Sequence, residues 1–293
     1  MATFNMYVGL PASGKTTIAH QHEKDYVIID SDEVRLRILG DAQDQSQNAR
    51  VFEHMFRETC ECLAKGISVA YVATNVSMKR RINLLSSLQK KFPDVDYVCS
   101  IINTPLDECY SRNSKREKYV PTYVIDRMVR SFQVPVAQEG WDLIIVIDNY
   151  DKGETKQGQR TMIEKRVEDF GSQQNEHHTL SLAAHCQLCG KIAFSKQYHY
   201  HVIQACFIHD YGKTWTAIRW DKDGGKNLHF PNHENVGAYL ALNMGYNLSV
   251  AALVNYHMLH YQDAHAQQVW QERLGADLWE QLEQVFICDK EAH

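Results

Sequence analysis

The chain has no apolar run approaching the ~20 residues that a membrane span requires. Its opening, "MATFNMYVGL", lacks the basic start and cleavage site of a secretory leader. Both absences point to a cytoplasmic protein. There is no excess of positive charge either. A formal net charge of −5 excludes the broad basic face that long duplex nucleic acid demands. "KRR" at 79–81 and "RNSKREK" at 112–118 still offer local clusters able to grip a strand end. Proline is scarce, at 6 residues, and no repeat or low-complexity tract interrupts a 44% hydrophobic composition, so the 293 residues read as globular and long enough for two cores. The 8 cysteines are scattered and read as reduced thiols. Cys186 and Cys189, inside an apolar helical pattern, read as core rather than zinc ligands, and Cys60 and Cys62 are spaced too closely for a zinc knuckle.

Histidine is the unevenly distributed residue: 3 of the 15 precede position 170. The crowding in the last segment suggests metal chemistry there, since imidazole is a common neutral ligand. The first half instead alternates apolar runs ("TFNMYVGL", "DYVIID", "ISVAYVAT", "DYVCSIIN", "DLIIVID") with helical patterns. That alternation predicts an α/β domain with a parallel sheet, covered by helices and carrying its ligand at the carboxyl ends of the strands. We expect this domain over 1–150, a linker over 151–172 and an all-α helical domain over 173–293.

The stretch "GLPASGKTT" follows the first strand and fits G-x-x-x-x-G-K-[ST]. Gly14 lets successive N–H groups turn toward an anion, Lys15 reaches the β/γ-phosphates and Thr16 offers a hydroxyl to Mg²⁺. The helix starting near Lys15 adds its dipole. Gly9, Pro11, Ala12, Ser13, Gly14, Lys15, Thr16 and Thr17 are the expected nucleotide contacts. The second strand, taken to lie beside this loop, ends in "IIDSDEVR". A carboxylate there could accept a proton from an attacking hydroxyl, or Asp30 or Asp32 could simply cap the next helix. Thr74 and Asn75 close the third strand, and Arg112, Lys115 and Arg116 stand at helical spacing on one face.

Taken together, "GLPASGKTT", "DSDEVR", "TNVSMKRR" and "RNSKR…VP" resemble the 5′-hydroxyl polynucleotide kinases of the phage end-healing type, over about residues 3–148. The resemblance implies a P-loop kinase using ATP and Mg²⁺. It makes Asp32 the general base, Arg35 the clamp on the acceptor's terminal phosphodiester, Arg112 and Arg116 the lid arginines on ATP, and Asn75 a substrate contact. The family carries an acid before the Thr-Asn pair; here the stretch is Tyr71-Val72-Ala73.

In the second half, "FIHDYGK" places His209 and Asp210 together at the end of a helical run, with Lys213 one turn on. Adjacent residues face one ion only where a helix terminates or two metals share the site. His185, His233, His257 and Asp289 each sit on a separate predicted helix and could converge in a bundle. The H…HD…H…H…D order, with "HDxGK" and "NHExxGA", resembles the HD phosphohydrolase superfamily. It implies that His185, His209, Asp210 and Asp289 hold one divalent ion (Mn²⁺, Ni²⁺, Co²⁺ or Zn²⁺), and that His233 and His257, with Asp210 bridging, hold a second. Lys213 would contact the scissile phosphate or protonate the leaving oxygen, and His178 would touch substrate phosphate. His199, His201, His260 and His265 match no motif. The aromatics of "YGKTWTAIRW" could stack on a base or simply pack.

Together the two halves read as a bifunctional end-healing enzyme. It would phosphorylate 5′-hydroxyl ends and remove 2′,3′-cyclic or 3′-phosphates from RNA or DNA ends, leaving the joint to a separate ligase, with no membrane partner. The oligomeric state, homo-oligomer included, stays open. Two rivals remain: a small-molecule or nucleoside kinase with a nucleotidase or regulatory HD domain, and a nucleotide-sensing regulator with an inert metal site.

Overall fold

A computed structural model describes residues 1–151, 153–174, 179–221 and 224–292. The chain forms two compact units, one from Met1–Ile125 with Glu139–Asp151, the other from Asp126–Gln138 with Lys152–His293. Among the described residues no helix is long and apolar enough to cross a membrane.

The first unit runs β1 (Thr3–Val8), α1 (Lys15–His22), β2 (Val27–Asp30), α2 (Ser31–Leu39), α3 (Asn48–Ala64), β3 (Val69–Val72), α4 (Met78–Gln89), β4 (Asp96–Asn103) and α5 (Leu106–Ser114), then α6 (Thr122–Val129), whose last residues belong to the second unit, and finally β5 (Leu143–Asp148). The five strands pair in parallel in the order β2-β3-β1-β4-β5. All five apolar runs are strands. Successive residues of β1 and β3 are buried, so both faces of the central sheet are covered, which is why these runs are apolar rather than alternating. Ile18 and Ala19 of α1 pack with Tyr7, Ala70, Val72 and Ile102. The order corrects one expectation: β2 is separated from β1 by β3, so the "DSDEVR" tip is not on the strand next to the phosphate loop.

Of the "KRR" cluster, Lys79 and Arg80 are exposed but Arg81 is not a free grip. Arg81 is fully buried, donating from Nε and Nη2 to Glu139 at 2.8 and 2.6 Å and from Nη1 to Asn75 O at 3.0 Å, while Trp141 Nε1 also donates to Glu139. Removing one partner of a buried ion pair leaves an uncompensated charge, typically at a cost of about 3–5 kcal/mol. Arg81→Ala is therefore expected to lower the first unit's stability by about that amount, read as a lower denaturant midpoint.

The second unit contains α7 (Lys156–Phe170), α8 (Leu182–Ser195), α9 (Tyr200–Ile208), α10 (Lys213–Thr216), β6 (Ile218–Arg219), β7 (Leu228–His229), α11 (His233–Asn243), α12 (Leu248–Tyr256), α13 (Ala264–Leu274) and α14 (Ala276–Glu291). Ser181, Asn247 and Asp263 cap α8, α12 and α13 by accepting from the backbone N–H three residues on. Three expectations change here. The stretch 151–172, expected as a linker with a short helix over "TMIEKRVEDF", holds the longer, 15-residue helix α7, started by Thr155 accepting from Gly158 N. The all-α domain carries a two-stranded antiparallel ribbon, β6-β7. And 126–138, assigned to the first domain by sequence, is part of the second unit. Asn255 accepts from Val134 N at 2.7 Å and donates to Phe132 O at 3.2 Å, Tyr256 donates to Val134 O at 3.0 Å, and Asn235 donates to Arg130 O at 2.7 Å. Buried backbone groups in an irregular segment need such partners, and polar side chains of α11 and α12 supply them.

Candidate functional site

The phosphate loop connects β1 to α1. Gly14 has φ +87°, and a Cβ there would meet Asn149 Nδ2 at 2.6 Å. The loop is fastened at Ser13 O, which accepts from Asn149 Nδ2 at 2.7 Å and Thr104 Oγ1 at 2.8 Å. Lys15 Nζ donates to Leu10 O at 2.7 Å, and burial pushes its ammonium down to about 8. Such a cation is stabilised by an arriving phosphate. Gly14→Ala meets both the left-handed backbone and the Asn149 clash, so ATP binding is expected to fall below detection in calorimetry.

Thr16 Oγ1 donates to Asp30 Oδ2 at 2.6 Å, and Asp30 Oδ1 accepts from Asp32 N at 2.7 Å. Asp30 is thus the helix cap, and the Asp32 side chain is left 56% exposed. Arg35 donates to Asp32 Oδ1 at 2.8 Å and to Asn48 Oδ1 at 3.2 Å, with longer bonds to Ser31 O and Ala42 O. Its guanidinium is buried and orients Asp32. Asn75 has φ +49° and donates from Nδ2 to Tyr7 O at 2.8 Å, which ties the tip of β3 to β1. Arg112 pairs with Glu108 and with Asp151 at 2.9 Å, and donates to Asn149 O at 3.2 Å, beside Gly14. Arg116 lies beyond the end of α5, exposed, and near enough to Lys15 to depress its pKa. The shared helix face expected for Arg112, Lys115 and Arg116 is therefore not formed. Buried Asn113 holds the following loop by donating to Val120 O at 2.7 Å and accepting from Val120 N at 3.0 Å. Asn149, Thr104 and Glu108 were not singled out in the sequence; no motif marks residues whose role is to hold a loop or an arginine.

In the second unit the metal candidates converge in two groups, His185, His209, Asp210 and Asp289, and Asp210, His233 and His257. His209 follows the last residue of α9, His233 opens α11, His257 follows α12, and Asp289 lies within α14. His185 Nε2 is 3.0 Å from Asp289 Oδ1, 3.2 Å from His209 Nε2 and 3.4 Å from Asp210 Oδ2. Across the shared carboxylate, His233 Nε2 is 3.1 Å and His257 Nε2 3.8 Å from Asp210 Oδ1, with the two rings' Nε2 atoms 3.3 Å apart. Gly212 makes this possible: a Cβ there would meet His233 O at 2.0 Å, so only glycine lets the start of α11 approach the His-Asp turn.

The donor set fits divalent cations. The Nδ1 atoms of His185, His209, His233 and His257 lie 2.8–3.0 Å from the carbonyls of Ala292, Cys206, Phe230 and Val254. A carbonyl only accepts, so each Nδ1 carries a proton and each Nε2 is the ring atom that faces inward, the arrangement that outer partners impose on ligating histidines. Ligands on one ion at ~2.1 Å stand about 3.0–3.4 Å apart, which matches the first group. Tyr261 donates to Asp289 Oδ2 at 2.8 Å. Burial lowers His209, but Asp210 and Asp289 outweigh it and leave the group at about 9. His257 is pushed down to about 3 by burial, aided by His233 and His209. Burial opposes the Asp210 charge, yet Lys213 and His209 hold its carboxyl well below the usual range. Lys213 Nζ lies 2.6 Å from Asp210 Oδ2 and donates to Gln173 Oε1 at 2.8 Å. No cysteine belongs to either group among the described residues. His178 lies outside the described residues.

Residues 5–135 match the model of a family described as an AAA domain. The chain is 26% identical over 152 residues to the L-seryl-tRNA(Sec) kinase of Methanococcus maripaludis, a stretch that is 49% of this chain and 58% of that protein. The chain thus spans less than two thirds of that relative. Among solved structures it is similar to the Pnkp1/Rnl/Hen1 RNA repair complex (23% identity, TM-score 0.38, 44% of this chain and 43% of that chain). It is also similar to a fungal RNA kinase (14%, TM-score 0.40, 58% and 45%). The first unit is an α/β domain with a parallel five-stranded sheet and a phosphate loop between β1 and α1.

Proposed function

We propose that the chain heals broken nucleic-acid ends, phosphorylating a 5′-hydroxyl with its first unit and removing a 2′,3′-cyclic or 3′-phosphate with its second, so that a ligase can join them. The observation that carries this reading is the convergence of four inward Nε2 atoms and two carboxylates on the same chain as a P-loop kinase-type domain. The tRNA kinase relative supports an acceptor hydroxyl carried on nucleic acid.

In the first step the 5′-oxygen bonds to the γ-phosphorus of ATP, the bond from that phosphorus to the β–γ bridging oxygen breaks and ADP leaves. Asp32 takes the hydroxyl proton. It is suited to this because Asp30 does the capping and Arg35 holds one of its oxygens, fixing the direction of the carboxylate. Lys15, Arg112 and Arg116 offset charge on the phosphates.

In the second unit, His185, His209, Asp210 and Asp289 would hold one ion and His233, His257 and Asp210 another. Bound divalent ions there supply Lewis-acid polarisation of phosphate oxygens and lower the pKa of water. Lys213, a buried ammonium beside Asp210, neutralises the scissile phosphate and gives a proton to the leaving oxygen.

The test is an RNA carrying a 5′-hydroxyl and a 2′,3′-cyclic phosphate, incubated with ATP, Mg²⁺ and Mn²⁺, with both ends resolved by mass spectrometry. End healing adds phosphate at the 5′ end and removes it at the 3′ end. Lys15→Ala should lose only the first change and Asp210→Asn only the second. A chain that alters neither end is not an end-healing enzyme.

A further inference from the structure

Gln173 lies where the chain passes from α7 to α8, and its backbone is pinned on both sides. Leu182 N donates to Gly171 O at 2.9 Å, Ser172 forms an isolated antiparallel bridge with Ser181, and Leu228 N donates to Gln174 O at 3.0 Å. Arg219 adds to the hold by donating to the Gln174 side chain. Gly171 and Gln174 both have positive φ, +68° and +46°. A residue with a Cβ is uncommon in that region, and such strain persists only where the surroundings impose it. Between these anchors Gln173 is fully buried.

The Gln173 amide is used at one end only. Its Oε1 accepts from Lys213 Nζ at 2.8 Å, while its Nε2 has no hydrogen-bond partner. An ammonium only donates, so the oxygen must face Lys213 and the orphan is the donor. Turning the amide over would set that donor against the ammonium and repair nothing. Lys213 is buried as well, with Nζ 2.6 Å from Asp210 Oδ2, on the carboxylate shared by both groups of candidate metal ligands. Buried donors normally find an acceptor. This one is kept, on pinned and strained backbone, next to the ammonium that would meet the scissile phosphate.

We propose that Gln173 is a phosphate-binding residue of the second unit: Oε1 steadies Lys213, and Nε2 donates to a non-bridging oxygen of the phosphate that Lys213 neutralises. Both atoms belong to one planar amide, so the donor stands beside the ammonium and the two can share a single phosphate group. The arriving phosphate supplies the acceptor that Nε2 lacks, which offsets the cost of keeping that donor out of water. The inference rests on the 3′-end reading for the ester that is cleaved, but not for the phosphate contact itself. The class recognised is the phosphoryl oxygen, whichever sugar or base carries it.

The test is calorimetric titration of the Mn²⁺-loaded full chain with inorganic phosphate, in a Lys15→Ala background so that the phosphate loop does not contribute. Gln173→Met removes donor and acceptor at similar length, and Gln173→Glu keeps an acceptor for Lys213 while removing the donor. A hydrogen bond to a charged group is worth roughly 10- to 150-fold in affinity. Gln173→Met should weaken phosphate binding by a factor in that range, and Gln173→Glu by at least as much because its charge repels the anion. Mn²⁺ content, read by mass spectrometry after desalting, should match that of the Lys15→Ala chain in both. Phosphate binding that depends on Gln173 in a chain that hydrolyses no phosphate ester keeps this contact and removes the 3′-end reading. Phosphate affinity unchanged in both variants overturns the contact. So does a loss of phosphate binding that only follows a loss of Mn²⁺, which would make Gln173 a support of the metal-capable centre. A Lys15→Ala chain that binds no phosphate overturns it too.

Discussion

Asp210→Ala is expected to abolish retention of divalent metal by the second unit altogether, whereas Asp289→Ala and His257→Ala should each abolish one of two sites. The difference follows from membership. Asp210 Oδ2 faces His185 and His209, each at 3.4 Å, and Oδ1 faces His233 and His257, so the one carboxylate belongs to both groups. Without it each group keeps imidazoles but loses a negative ligand, and the Lys213 ammonium at 2.6 Å loses the charge that offsets it. The measurement is metal content by mass spectrometry after loading with Mn²⁺ and desalting. Thermal unfolding gives a second reading: at a metal concentration 100 times Kd the parent gains about 2.7 kcal/mol, and Asp210→Ala gains none. Asp210→Asn, which keeps the side-chain shape, separates loss of charge from a folding defect. Metal retention by Asp210→Ala equal to the parent's would show that this carboxylate is not shared.

The second large effect is expected at Asp32. Asp32→Ala should lower 5′-phosphate transfer by about 10²- to 10⁴-fold, the usual worth of a positioned general base, with ATP affinity unchanged. The adjacent acid should behave differently. Asp30 accepts from Asp32 N and from Thr16 Oγ1, so Asp30→Ala removes both a helix cap and the partner of the phosphate-loop hydroxyl. That variant should lose stability by about 1 kcal/mol and bind Mg²⁺-ATP more weakly. Single-turnover transfer, with calorimetry for ATP, distinguishes the two. Transfer by Asp32→Ala within tenfold of the parent would leave Asp32 as no more than the partner of Arg35.

The strands of the first unit were legible because strands covered on both faces, as β1 and β3 are, read as near-continuous apolar runs, and the edge strands β2 and β5 keep enough apolar residues to stand out against polar helices. Their order was not. The insertion of β3 between β1 and β2 is decided by which hydrogen-bonding edges meet, a property that composition does not carry. The same holds for 126–138: nothing in "DRMVRSFQVPVAQ" says that its carbonyls will be met by Asn235, Asn255 and Tyr256 more than a hundred residues away in sequence.

At the sites, the sequence by itself determined which chemical groups are available: a phosphate loop with Lys15 and Thr16, two acids at one strand tip, and a histidine-rich second half with an adjacent His209-Asp210 pair. These are local, because a loop that turns N–H groups toward an anion or a helix that ends on a ligand is written in contiguous residues. Tertiary structure decided how those groups are used. It made Asp30 the cap and left Asp32 exposed, turned Arg35 and Asn75 inward to orient neighbours, and buried Arg81 against Glu139. It also brought ligands from separate helical segments within about 3–4 Å of a common carboxylate. The reason is physical: a buried polar group must find its partner wherever packing places one, and that partner is chosen by proximity in space rather than by spacing along the chain.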